Sequence, residues 1–205
     1  DHRYRDWKEG GHGHVNLNYA IMQSCDVYFY SLARDLGITK LGKALTNFGF
    51  GLKTGIDIGG ESTALVPSIE WKRSALNQPW YPGETIIAGI GQGYILATPL
   101  QLVTATAALA NRGQRVSPRM VYKTSDPVSG KSTILPTVVG KHVTGYQQEH
   151  WDYVIQAMED VVHGPRGTAR RSGANAAYRF AGKTGTAQIF GIGDDEKYEK
   201  DKIPE

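Results

Sequence analysis

Between residues 49 and 97 the chain is interrupted by Gly51, Gly55, Gly59, Gly60, Pro67, Pro79, Pro82, Gly83, Gly89, Gly91 and Gly93. Glycine weakens helices and strands, and proline removes a backbone donor, so this density leaves room for only one short helix, expected near 68–76. A loop of this length in a compact domain is either functional or packed by its own side chains. The regular core must then come from the flanks. Upstream, Tyr19, Ile21, Met22, Val27, Phe29, Tyr30, Leu32, Ala33 and Leu36 recur at helical spacing, and Gly37 is a stop signal. Ser24-Cys25-Asp26 interrupts the run, which predicts two helices with a break at Ser24. A third helix is expected over 39–48, with Thr39 as N-cap. Downstream, Thr98-Pro99 opens a helix whose apolar face reads Leu100, Leu102, Val103, Ala107, Leu109 and Ala110, ending at Asn111-Arg112-Gly113. Residues 115–123 read as a strand, 146–162 as a helix with Trp151, Val154, Ile155, Met158 and Val161 inward, and 178–188 as a strand. The tail from 191 to 205 is polar and expected to be mobile. The sum is an α+β domain with a thin sheet.

Composition excludes several classes. Lys plus Arg number 23 against 20 Asp plus Glu, a formal charge of +3 with no basic block, so nothing argues for nucleic acid. One cysteine excludes an internal disulfide framework. No apolar run approaches the ~18 residues of a membrane span.

Two short phrases carry chemistry. Lys183-Thr184-Gly185-Thr186 offers a cation, two hydroxyls and a glycine in four residues, suited to anion and carbonyl recognition. On a regular strand Lys183 and Gly185 would share one face, and Thr184 and Thr186 the other. Ser24-Cys25-Asp26 at a helix break is either a simple cap or one wall of a site. The order Ser-x-Asp followed by Lys-Thr-Gly matches two of the three motifs of penicillin-interacting serine enzymes.

Longer phrases narrow the choice. Trp80-Tyr81-Pro82-Gly83-Glu84-Thr85, Gly89-Ile90-Gly91-Gln92-Gly93-Tyr94, Ala97-Thr98-Pro99-Leu100-Gln101, Gly164-Pro165-Arg166-Gly167-Thr168-Ala169 and the segment 181–188 occur in this order. Together they resemble the transpeptidase domain of class B penicillin-binding proteins. The opening Asp6-Trp7-Lys8-Glu9-Gly10-Gly11-His12-Gly13 and the stretch 24–30 are similar to the penicillin-binding protein 2 branch, which serves cell-wall elongation.

The resemblance implies an antiparallel sheet with helices on both sides plus a helical subdomain. It implies a peptidoglycan D,D-transpeptidase that works through a serine acyl-enzyme and is inhibited by β-lactams. It also implies an anchor in the inner membrane, a periplasmic location and a glycosyltransferase partner in the elongation complex. By the same resemblance Ser24, Asp26 and Lys183 are catalytic, and Thr184, Gly185 and Thr186 bind substrate. No Ser-x-x-Lys tetrad occurs in the 205 residues. The family's acylated serine belongs to that tetrad, so 1–205 is expected to be a partial transpeptidase domain, its nucleophile upstream of residue 1 and the last strands beyond Glu205. The other readings are a serine β-lactamase or β-lactam sensor of the same fold, and a non-catalytic binding module.

Asp6, His12, His14 and Cys25 fall within 20 residues. Carboxylate, imidazole and thiolate are all zinc ligands, but the spacing matches no standard finger, and a buried Cys beside exposed His is the alternative. Some relatives in the penicillin-binding protein 2 branch carry a structural zinc here, and that resemblance assigns Asp6, His12 and Cys25 as ligands with a fourth upstream. No cofactor is expected for catalysis. His2, His142, His150 and His163 read as exposed and unpartnered, and Trp7, Trp71, Trp80 and Trp151 as core anchors.

Overall fold

Asn16 accepts a hydrogen bond from the Tyr19 N–H and starts α1 (Leu17–Gln23), which ends after about two turns because Ser24 turns left-handed, at φ 54° and ψ 51°. The chain re-enters a helix at once as α2 (Asp26–Asn47). The structure, a computed structural model, describes residues 4–187. The expected tail (191–205), His2 and Gln188 lie outside the described residues. The predicted stop at Gly37 is a kink inside α2, where φ is 75° and ψ is 158°. The helix resumes so directly that Thr39 lies within it instead of capping it.

The irregular stretch is held by polar side chains. The short helix expected near 68–76 is α3 (Ile69–Leu76), and Ser68 caps it. The sequence reading missed α4 (Pro82–Ala88), which starts at a proline, with the Glu84 carboxylate reaching back to the Tyr81 N–H at 2.9 Å. Lys72, fully buried, pairs with Glu84 and lies 4.4 Å from the Tyr81 ring centroid, tying α3 to α4. Thr98 and Gln101 form a reciprocal capping box on α5 (Pro99–Ala110). The amide of Gln101, only 1% exposed, donates to the carbonyls of Leu52 (2.8 Å) and Thr63 (2.9 Å).

Those bonds decide which way α5 faces. Gln101, Ala105 and Ala108 are buried, while Leu102 and Val103 are 53% and 62% exposed, contrary to the face read from the sequence. The satisfied glutamine faces inward because its amide holds the loop, and the leucine and valine beside it turn outward.

The predicted strand at 115–123 resolves into two antiparallel pairs. β1 (Gln114–Val116) pairs with β4 (Val139–His142), and β2 (Lys123–Ser125) with β3 (Ser132–Ile134). Asp126 closes the β2–β3 turn by accepting from Val128 and Ser129. Next comes α6 (Gln148–His163), whose Trp151, Ala157, Val161 and Val162 are buried, and then the single turn α7 (Arg170–Gly173). Trp151, Ala108 and Val143 form one core cluster, with Phe48 against it. Ile21, Ala157 and Val161 form another, which docks α1 on α6.

Residues 178–187 are not a laddered strand. A strand exists only through a neighbour's N–H and C=O groups, and among the described residues none pairs with this segment as a ladder. It is held instead by Gly182 N–H on Met158 O (3.1 Å) and Phe180 N–H on His163 Nε2 (3.1 Å). The histidines likewise find partners, His142 on Val143 O and His150 on the Gln147 N–H. Trp151 is the buried anchor the sequence suggested. Trp7 is instead 62% exposed and works through its indole N–H.

Replacing Gln101 with leucine keeps the size and deletes both bonds to the loop. Urea unfolding of Gln101→Leu should show a loss of about 1–3 kcal/mol with an unchanged m-value. An unchanged midpoint would show that the loop is held otherwise.

Candidate functional site

The left-handed turn at Ser24 puts its hydroxyl on the open side of the α1–α2 junction. This conformation costs a non-glycine residue on the order of 1 kcal/mol. It persists because the Ser24 and Cys25 N–H groups bond back into α1 and the Trp7 indole donates to Ser24 O at 2.8 Å. Gly164 and Gly167 bring the end of α6 against the same junction. A Cβ on Gly164 would lie 2.8 Å from Met22 Sδ, and one on Gly167 would lie 2.2 Å from Val161 O.

Lys183 Nζ donates to Ser24 Oγ at 2.7 Å and to Thr184 O at 2.9 Å. Thr184 Oγ1 lies 3.0 Å from Ser24 Oγ. Consecutive residues 183 and 184 thus both reach Ser24, contrary to the alternation expected of a regular strand, because the segment lacks strand pairing. Gly185 and Thr186 are exposed, and a Cβ on Gly185 would meet nothing within 4 Å. That leaves open backbone beside the hydroxyls.

Asp26, at the first position of α2, accepts from the Trp7 N–H at 3.1 Å. Burial pushes its carboxyl above the usual range, and Asp6 adds to the rise, against the Trp7 bond and the Lys183 charge. Lys183 is exposed as a residue, but protein atoms crowd its ammonium. That desolvation lowers its pKa, and Asp26 opposes the change.

One residue was missed by the sequence reading. Thr168 Oγ1 lies 3.1 Å from Thr184 Oγ1 and 3.4 Å from Ser24 Oγ. Its signal was present in the phrase 164–169, which the sequence reading used only as a family marker.

Behind the junction, ligand atoms of Asp6, His12 and Cys25 all lie within 4.8 Å of one another. The His12 and Asp6 side chains are 1% and 3% exposed, and Cys25 is buried. His12 Nδ1 is 3.2 Å from Asp6 Oδ2 yet makes no hydrogen bond of acceptable geometry, so a buried nitrogen is left without a partner. An N, O and S donor set with an unsatisfied imidazole suits zinc better than calcium or magnesium, which take oxygen. His14 lines the adjoining cleft of about 510 Å³ instead of joining the three. Asp6 is desolvated, but bonds from the Lys8 N–H, the Cys25 side chain and the Val27 N–H outweigh this and hold its carboxyl below the usual range. Burial and Asp6 push the Cys25 thiol up.

The penicillin binding protein transpeptidase domain model matches residues 1–203. The chain belongs to that family. It is 41% identical over 204 residues to the peptidoglycan D,D-transpeptidase MrdA of Haemophilus influenzae, covering 96% of this chain and 30% of that protein. Among solved structures, Pseudomonas aeruginosa PBP2 in complex with WCK 5153 superposes with a TM-score of 0.82 at 47% identity, covering 92% of this chain and 42% of that one. Helicobacter pylori PBP2 in its complex with MreC gives 0.80 at 36% identity, covering 92% and 33%. This transpeptidase-domain chain spans about a third of the length of the curated relatives it matches.

A carbon-detected titration of the Lys183 ε-methylene should show a midpoint below that of an ordinary lysine. Asp26→Asn should lower it further, because the Asp26 charge supports the ammonium. Between the folded and unfolded midpoints the unfolded chain binds more protons, so this group's effect is that stability rises with pH there. A midpoint at or above the ordinary value contradicts the desolvated site.

Proposed function

We propose that the protein carrying this chain is a serine-type peptidoglycan D,D-transpeptidase of cell-wall elongation and a β-lactam target. In this reading residues 1–205 are a partial transpeptidase domain that supplies the walls of the site, and the acylated serine lies outside them. That serine attacks the penultimate D-Ala carbonyl of a stem peptide, D-Ala leaves, and an amine of a neighbouring stem attacks the acyl-enzyme. Anchoring at the periplasmic face of the inner membrane and work with an elongation-complex glycosyltransferase belong to the same proposal. The family match and the named activity of the relatives support it.

The observation that carries the reading is the 2.7 Å bond from Lys183 Nζ to Ser24 Oγ, between residues 159 positions apart, with Thr184 alongside. Lys183 holds positive charge where an oxyanion would form, lowering the cost of the tetrahedral intermediate. Ser24, bonded to that ammonium, relays a proton during acylation. Asp26 orients the substrate amide or a lysine. The hydroxyls of Thr184 and Thr186 bind the terminal carboxylate, Gly185 leaves room for the substrate backbone, and the Thr186 N–H serves as one oxyanion donor.

In the same proposal Asp6, His12 and Cys25 hold a structural zinc, with a fourth ligand outside the chain. The unpartnered His12 nitrogen and the mixed donor set support this. Such an ion would cross-link the opening segment to the start of α2 and so stiffen the turn that presents Ser24.

In the full-length protein, Ser24→Gly should cut the rate of acylation by fluorescent penicillin by about 10² or more. Its melting temperature should not fall, since glycine suits the left-handed backbone. Lys183→Ala should be at least as slow. Near-normal acylation in both variants would refute the assignment, and rapid release of the drug by the wild type would point to a β-lactamase. Metal analysis of the purified full-length protein should find about one zinc per chain, lost in Cys25→Ser. Equal zinc in the variant removes Cys25 from the ligand set.

A further inference from the structure

Three hydroxyls meet beside Lys183, and each has one proton to donate. Ser24 Oγ lies 3.0 Å from Thr184 Oγ1 and 3.4 Å from Thr168 Oγ1, and the two threonines are 3.1 Å apart. Lys183 donates to Ser24, which fixes one Ser24 lone pair. The Ser24 proton is then available to either threonine. In the proposed reaction Thr184 commits its one proton to a carboxylate and no longer donates within the trio. Thr168 is the hydroxyl that stays uncommitted to substrate.

Its backbone suits that task. The Thr168 N–H donates to Met22 O at 3.2 Å, two residues before Ser24, and the Ala169 N–H donates to Val161 O at 3.0 Å. The Thr168 backbone is therefore tied to the same helix end that carries Ser24.

We propose that Thr168 is a positioning residue for acylation. It accepts the Ser24 O–H and keeps a Ser24 lone pair on Lys183 while Thr184 engages the carboxylate of the substrate or drug. This rests on the transpeptidase reading above.

The test uses the full-length protein and the acylation rate with a fluorescent penicillin. Thr168→Val keeps shape and backbone but loses the hydroxyl, and should slow acylation about tenfold, the order expected for losing one neutral hydrogen bond. Thr168→Ser should recover to within about threefold of wild type, since it restores the same bond. In a Ser24→Ala background Thr168→Val should add no further loss, because its partner is gone. Wild-type rates in Thr168→Val, no recovery in Thr168→Ser, or an equal further loss without Ser24 would each overturn the inference. Should Thr168→Val melt lower, Thr168→Ser at wild-type rate in the intact background and the null effect without Ser24 still decide it. If Ser24→Ala itself acylates normally, the transpeptidase assignment and this inference both fall. If Ser24→Ala is slow and Thr168→Val is not, only the role of Thr168 falls.

Discussion

The left-handed turn at Ser24 is the constraint on which the rest of the site depends. It ends α1 after seven residues and starts α2 two positions later, so one short junction carries a hydroxyl, a buried thiol and a carboxylate in sequence. Serine itself resists positive φ, so the turn needs support. It is held by the return bonds into α1, by the packing of Ile21 on Ala157 and Val161, and by the Trp7 indole on Ser24 O.

This arrangement lets one junction face two ways. Toward the open side, Ser24 meets Lys183, Thr184 and Thr168, with bare backbone at Gly185 beside them. Toward the core, Cys25 meets His12 and Asp6. Asp6 also lies near Val27 at the start of α2, where a carboxylate complements the helix dipole. Asp26 stands between the two clusters, coupled electrostatically to both Asp6 and Lys183.

The long glycine- and proline-rich stretch shows a different solution to folding. Its backbone groups are met by Gln101, Glu61 and Glu84 in place of extended secondary structure, and its Asp57 accepts from the Met120 and Val121 N–H groups outside it. Buried polar groups with full sets of partners can specify a loop as firmly as a ladder specifies a strand. The cost shows on α5, where Leu102 and Val103 turn outward so that Gln101 can turn in.

Much of this was legible from residues alone. Helix starts at Ser68 and Thr98 follow from side-chain capping, which acts over three or four residues and needs no tertiary partner. The inward face of α6 follows from its 3.6-residue period. The pairing of Ser-x-Asp with Lys-Thr-Gly was readable as a phrase, and so was the proximity of Asp6, His12 and Cys25 in sequence. Other features were not legible. The start of α4 at Pro82 was obscured by surrounding glycines, and the face of α5 was misjudged because hydrophobicity was weighed without the loop that Gln101 holds. Residues 178–188 read as a strand in sequence, yet strand pairing belongs to two segments at once and cannot be read from one. Thr168 joined the site for a similar reason: its hydroxyl meets Ser24 across 144 positions, and only the packing of α1 on α6 brings them together. Sequence by itself determined where the chain turns and which chemistry it carries. The tertiary structure decided which of those groups share one corner, because distances between residues remote in sequence are set by packing and not by spacing.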